Sequence, residues 1–541
     1  MIIDKKYKLG RRDFFKSLGL LCLSLNSQNF LGNTLFNKIT SIRDFSVCLT
    51  PDVIVDNPFL IKKIAKSGVN SVWIITYFYG FWPWTEELIL SAKKIVVSNG
   101  LEALTLTCPL GHPGDALASK DGNLPLTPPS SWSMGKTAQG KPYAGTIIDN
   151  ISVRENCKAL ENLYSYGFRK CILDDDFRIA LYPGSIGGNF DEVKKSEFLK
   201  LFGYNESSWN ILLNDVNNRV YSPILIDWVN WQCEVHSRAF KEMKRAFRDG
   251  DLGYMIMYLG AEKAGIKLSD VGGITLRVGE GHFDDSSFAS PKGWTNELFS
   301  VLFHRRFIDP ENAWSETTSF PATSLSVENL VAKLNISTIT DVRHTVFMSG
   351  VQTYPAHYWD SIRPAIKKQQ ILHEKVRGCK PCGPFKHYWG LRSRYVGLDA
   401  PFSLWLALGV PFEVISKLDD CTDSWIFVTK EDLPDIKESK CSNYYITNVE
   451  DDKDYPNISV VKEDLSSLWI WKESLSDKLE KMKIPYVIEN SPCICSWYPK
   501  LNAVLLWNLK NAKVELSVKY KGENITCNLD ALEMKYVDLI K

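Results

Sequence analysis

Eight short apolar runs alternate with amphipathic stretches along most of this chain, and that alternation limits its fold more than any other feature. The runs cover residues 45–49, 71–76, 101–106, 171–173, 254–259, 274–278, 312–315 and 342–348. Each is short enough for a buried strand and is followed by a stretch with helical spacing. Local signals agree with the pattern. Thr85 precedes Glu86 and Glu87, an N-cap with acids in the first helical turn. Ser222 precedes Pro223, an N-cap with proline in the first helical position. Repeated strand–helix units call for a parallel sheet, and eight of them over roughly 330 residues fit a closed (β/α)8 barrel with decorated loops.

In such a barrel the working face lies at the C-terminal ends of the strands. Here those ends carry the chemistry and the strand starts are plain. The fourth run opens residues 170–178, Lys-Cys-Ile-Leu-Asp-Asp-Asp-Phe-Arg. Alternation puts Asp174 and Asp176 on one face and Asp175 on the other. Close carboxylates raise one another's pKa and Arg178 lowers them again, a way to keep one protonated beside an ionised neighbour. The sixth run ends in Gly-Glu280-Gly-His282, and the seventh in Glu316-Thr-Thr-Ser-Phe-Pro. Aromatic and polar residues at other strand ends suit sugar contacts: Trp73, Tyr77 and Trp84 for stacking, His112 and Asp115 for hydroxyls, Tyr258, Glu280, His282 and Tyr358 for the remaining subsites.

The 541 residues exceed one ordinary core, so about two to four domains are expected. Lys and Arg total 64 against 63 Asp and Glu, a balance that argues against a nucleic-acid partner. Thirteen cysteines include Cys379-x-x-Cys382, but no second pair follows at zinc spacing, so no zinc site is expected, and the carboxylate chemistry read below requires neither a metal nor an organic cofactor. Residues 10–16, Gly-Arg-Arg-Asp-Phe-Phe-Lys, precede a short apolar run at 18–25. A charged segment before a run too short to span a bilayer is a signal-peptide pattern. It resembles the twin-arginine export signal, with Phe15 in the leucine position. Residues 1–38 are therefore read as an address to the bacterial periplasm, and no later segment is long and apolar enough to cross a membrane.

Cleaving a glycosidic bond takes two carboxyls, one donating a proton and one attacking the anomeric carbon or activating water. The fourth and seventh strand ends supply them. There the chain resembles the clan A glycoside hydrolases, and Trp314-Ser-Glu-Thr-Thr-Ser-Phe-Pro321 is similar to the nucleophile strand of β-galactosidases built from a barrel plus a trimerisation domain. The resemblance implies that Glu316 is the nucleophile, with Glu280 its rival. The clan's Asn-Glu on the fourth strand is replaced by Asp175-Asp176, so Asp176 is the first choice of acid and Asp174 or Asp175 the second.

Residues 400–412 read as a helix stopped at Gly409, followed by further strand–helix alternation. This resembles the flavodoxin-like domain of the same β-galactosidases, which mediates oligomer contacts and so implies a homo-oligomer. From about 488 the period changes to that of antiparallel strands. The organisation expected is a signal at 1–38, a barrel at 39–385, a flavodoxin-like α/β domain at 386–487 and a small β domain at 488–541. The function expected is an exported, retaining glycoside hydrolase acting on a carbohydrate substrate. An inverting hydrolase and a non-catalytic carbohydrate-binding barrel are the alternatives.

Overall fold

The computed structural model describes residues 43–110, 129–174, 177–179, 184–449, 455 and 458–539. The eight expected strands are all present: β1 (Asp44–Leu49), β2 (Ser71–Phe78), β3 (Glu102–Cys108), β4 (Lys170–Leu173), β5 (Asp251–Met255), β6 (Leu276–Arg277), β7 (Ala313–Thr318) and β8 (His344–Met348). They pair in parallel and in sequence order, and β1 closes on β8. Every residue of β2 and β7 is buried, as expected of strands covered on one face by helices and on the other by the barrel interior. Cys48, Trp73, Ile75, Leu104, Leu106, Ile172, Trp314 and Val346 form one apolar cluster that fills the barrel. With a side-chain period of two, Asp174 follows Ile172 and Glu316 follows Trp314 onto the same inward face.

Helix ends obey their sequence signals. Thr85 accepts from Leu88 N, Ser222 accepts from Leu225 N, and Asp149 forms a capping box with Ser152. Ahead of the Pro223–Ala246 helix lie two helices the sequence reading passed over, Glu192–Phe202 and Glu206–Asn218. They pack Phe198 and Trp209 against Trp228, and Phe190 ahead of them joins this second aromatic core outside the barrel. Arg43 stands wholly buried beneath the barrel helices, donating to Thr345 Oγ1 at 3.0 Å and to Leu334 O at 3.2 Å.

Some boundaries moved. The fifth strand lies at Asp251–Met255, not 254–259, and Tyr258, at φ +44°, stands outside it. The seventh strand runs on to Thr318, so Glu316 stands inside it. Residues 400–412 are not one helix. Only Leu404–Ala407 makes a 3-10 turn, and Phe412 already begins a strand. Every side chain from Leu404 to Leu408 is buried, so the segment has no solvent face on which a regular helix would lie.

Beyond the barrel, β9 (Phe385–Tyr388), β10 (Phe412–Ile415), β11 (Trp425–Val428), β12 (Tyr444–Thr447) and β13 (Ser459–Val460) form an all-parallel sheet in the order β10-β9-β11-β12-β13. Then follow β14 (Tyr486–Val487), β15 (Cys493–Tyr498), β16 (Ala503–Asn508), β17 (Val514–Tyr520), β18 (Glu523–Leu529) and β19 (Met534–Asp538). They make two antiparallel sheets, β14-β17-β18 and β15-β16-β19. The change of period near 488 was thus a true change of architecture. No helix among the described residues is long and apolar enough to cross a membrane. Cys379 and Cys382 are both free thiols.

Candidate active site

Three inward-facing side chains from β4, β6 and β7 meet inside the barrel. Asp174 follows β4, and its backbone N donates to Thr107 O at 2.7 Å, so the β3–β4 ladder fixes its position. Arg277 ends β6. Its Nη2 lies 2.7 Å from Asp174 Oδ1 and 3.2 Å from Glu316 Oε1. Both distances share one nitrogen, so the two carboxylate oxygens lie within about 6 Å of each other. All three residues are almost shut off from solvent, with exposures of 1, 2 and 4 % for Asp174, Arg277 and Glu316. Burial lowers the local dielectric and strengthens each contact.

Soft walls surround the charges. Met255 Sδ and Met348 Sδ each approach the guanidinium at 3.0 Å. Cys48 stands beside the cluster, and burial pushes its thiol far up, so it is a neutral wall. The second oxygen of Glu316 accepts from Glu280 N at 3.4 Å. Glu316 is therefore held at both ends, by a cation and by a backbone amide.

Glu280 itself points elsewhere. Its Oε2 lies 3.1 Å from Lys333 Nζ, and both side chains are completely buried. Glu297 lies 3.9 Å from the same ammonium and accepts from the backbone N of Gly281 and His282. Two buried carboxylates thus face one lysine. Burial, opposed by Lys333 and helped by Glu297, pushes Glu280 up to about 7. Burial alone would lower Lys333, but Glu297 and Glu280 hold its ammonium above the ordinary range.

The loops leaving β5 and β6 run against each other here. A Cβ on Gly279 would stand 2.1 Å from Ile256 O and 2.2 Å from Tyr258 N, so only glycine permits the approach. Ser300 Oγ spans both loops, 3.1 Å from Tyr258 O and 2.6 Å from Gly279 O. Tyr258 and His282 follow as neighbours, with ring centroids 6.0 Å apart. Burial drives the Tyr258 hydroxyl far up, with Glu297, Asp399 and Glu463 adding to the effect.

Of the residues expected at the site, Asp174 and Glu316 share a cation, Glu280 joins them through its backbone, and Tyr258 and His282 lie in the adjoining loops. Arg178 is buried just after β4. Trp73 is a correction. It is wholly buried in edge-to-face contact with Trp314 and donates to Ser46 Oγ at 3.1 Å, so it is barrel packing and offers no stacking face. Tyr77 also packs, with its hydroxyl accepting from Gly80 N and its ring against Trp82. Tyr358 stacks on Tyr354 and donates to Leu325 O. Asp175, Asp176, His112 and Asp115 lie outside the described residues, as does the signal segment. Sequence reasoning missed Arg277, Lys333 and Glu297. For Arg277 part of the signal was present, one arginine inside a mostly apolar strand, Ile274-Thr-Leu-Arg-Val278, but not the direction it faces. No group of His, Cys, Asp and Glu suited to a metal ion occurs among the described residues.

No known protein-family model matches the chain, and no curated protein does. Solved structures do. The cold-adapted β-galactosidase of Rahnella sp. R3 aligns with a TM-score of 0.57 at 10% identity, covering 92% of this chain and 98% of that one. A GH42 β-galactosidase from G. stearothermophilus gives 0.56 at 10% identity with the same two coverages. Likeness at this identity is likeness of fold.

Two outcomes follow. Arg277→Met leaves two carboxylates buried without their cation and is expected to lower stability by about 3–5 kcal/mol, with Asp174→Asn added to it recovering part of the loss; urea unfolding measures both. Glu280, raised from 4.5 to about 7 on folding, makes the folded state the better proton binder between those values. Stability therefore falls as pH rises from about 4.5 through about 7, by up to about 3 kcal/mol. Glu280→Gln should flatten that slope in thermal melts across the range, and an unchanged slope would remove Glu280 as its source.

Proposed function

We propose that this chain is an exported glycoside hydrolase in which Glu316 attacks the anomeric carbon and Asp176 donates the proton. The observation that carries the reading is the pairing of Asp174 and Glu316 on Arg277 inside a closed parallel barrel. Glu316 is buried, oriented at both oxygens and next to a guanidinium, which suits an ionised nucleophile. Asp174 is already tied to that guanidinium at 2.7 Å. Asp174 then acts by holding Arg277, and the acid is Asp176, the first choice from the sequence. Retention of configuration follows from a nucleophilic Glu316.

The fold supports this reading by analogy, since the two neighbours named above are β-galactosidases. The strand order β10-β9-β11-β12-β13, written within its own sheet as 2-1-3-4-5, supports a flavodoxin-like domain, and with it contacts between copies of the chain. Export rests on the Arg11-Arg12 signal.

The test is hydrolysis of a panel of aryl glycosides, β-galactosides first, by wild type, Glu316→Gln and Asp176→Asn. Wild type should cleave one sugar, release it with retained configuration by NMR, and lose more than about a hundredfold in each variant. Azide should rescue the variant that lacks the residue it replaces. Activity should be recovered from the periplasm, and be kept in the cytoplasm when Arg11 and Arg12 are both lysine. An unharmed Glu316→Gln removes the nucleophile assignment, an inverted product makes Glu316 a base toward water, and glycan binding without any turnover favours a binding protein.

A further inference from the structure

We propose that residues 391–399, which leave β9 of the second parallel sheet, position the segment after β4, and that Lys263 and Arg219 are the positioning residues through which they act. The inference rests on the glycosidase reading for the purpose of that segment, which opens with Asp174, Asp175 and Asp176, the source of the acid.

The first arm is a buried ion pair on a turn. Glu262–Ala264 form a 3-10 turn in the loop after β5. Lys263 is wholly buried there, paired with Asp399 and donating to Ser393 O at 3.1 Å. Beside it Arg394 Nη1 lies 2.9 Å from Glu262 Oε1. None of these four charged side chains is more than 14 % exposed. Buried pairs add little stability over apolar packing, and what they supply best is a fixed register.

The same turn holds the segment after β4 by its backbone. Ile179 N donates to Ala264 O at 3.1 Å and Gly187 N to Lys263 O at 2.7 Å, while Gly188 N donates to Ile179 O at 2.8 Å. Phe177 O lies 2.7 Å from His236 Nε2 of the Pro223–Ala246 helix. A Cβ on Gly265 would stand 2.6 Å from Ile179 Cγ1, so the turn and Ile179 are in close contact. Lys263 therefore faces two ways, with its ammonium toward 391–399 and its carbonyl toward Gly187.

The second arm is one arginine. Arg219 follows the Glu206–Asn218 helix as its C-cap. Its guanidinium donates to Gly184 O at 2.7 Å, to Val396 O at 2.8 Å and to Gly397 O at 2.9 Å. A planar fork thus joins Gly184, after β4, to the segment that leaves β9. That segment is tied down at its own start, where Asp432, beyond β11, accepts from Gly390 N at 2.7 Å and Ser393 N at 3.0 Å. Held at Ile179 and again at Gly184, the segment after β4 meets the precision proton transfer asks for, since a misplacement of about 1 Å can cost on the order of a hundredfold in rate.

The test compares leaving groups. Lys263→Met combined with Asp399→Asn removes both charges of the pair and strands neither; asparagine suits the φ of +57° at 399. Arg219→Gln breaks the second arm at a half-buried position and serves alone if the double variant does not fold. Lys386→Gln, which breaks a pair with Glu413 across β9 and β10, is the control for general loosening of the second sheet. In kcat/KM, either positioning variant should lose about tenfold on an alkyl glycoside, which needs a donated proton, and less than about twofold on the dinitrophenyl glycoside of the same sugar, which does not. Amide hydrogen exchange at Ile179, Gly187 and Gly188 should quicken about tenfold, with Gly281 and His282 unchanged. Equal losses on the two leaving groups, unaltered exchange, or the same effects from Lys386→Gln overturn the proposal. If exchange quickens as expected while wild type cleaves no glycoside, the positioning stands and the hydrolase reading falls.

Discussion

One guanidinium organises the interior of this barrel. Arg277 brings together two carboxylates that the chain places 142 residues apart, and it does so where all three side chains are almost closed to solvent. The arrangement is expensive to build, because three charges lose hydration. It holds because the geometry meets each need: two carboxylates for the cation, two thioether sulfurs beside it, and a backbone amide for the far oxygen of Glu316. The strands supply one charge each from β4, β6 and β7, and period-two alternation turns all three inward.

A second buried charge group stands behind the first. Lys333 faces Glu280 and Glu297, and Glu297 in turn anchors the loop after β6 through two backbone amides. The two groups touch through the Glu280 backbone, whose N–H reaches Glu316. Gly279 makes the contact feasible by letting the ends of β5 and β6 approach without a side chain between them. The candidate nucleophile is thus positioned by a loop, and the loop by a buried acid on a neighbouring helix.

Much of the fold was legible because its signals are local. Apolar runs, caps at Thr85 and Ser222, and the change of period near 488 each depend on residues close together in the chain. The site was legible in its carboxylates, since acids at strand ends are conspicuous. Three things were not. Arg277 lies in a run whose other members are mostly apolar, and only the closed barrel shows that it faces inward. Trp73 carries the right chemistry for stacking on sugar, but its place early in β2 puts it in the packed interior against Trp314. Residues 400–412 read as a helix, but 401–412 are all buried, so packing decides their path where periodicity cannot.

The most direct test is to trap the nucleophile. Wild type is treated with activated 2-deoxy-2-fluoro glycosides of the sugar it cleaves, digested, and the labelled peptide sequenced by mass spectrometry. A slow-hydrolysing ester on Glu316, formed in wild type and absent from Glu316→Gln, is the predicted result. A label on Asp174 or Glu280, or turnover with no covalent adduct at any residue, would contradict the account.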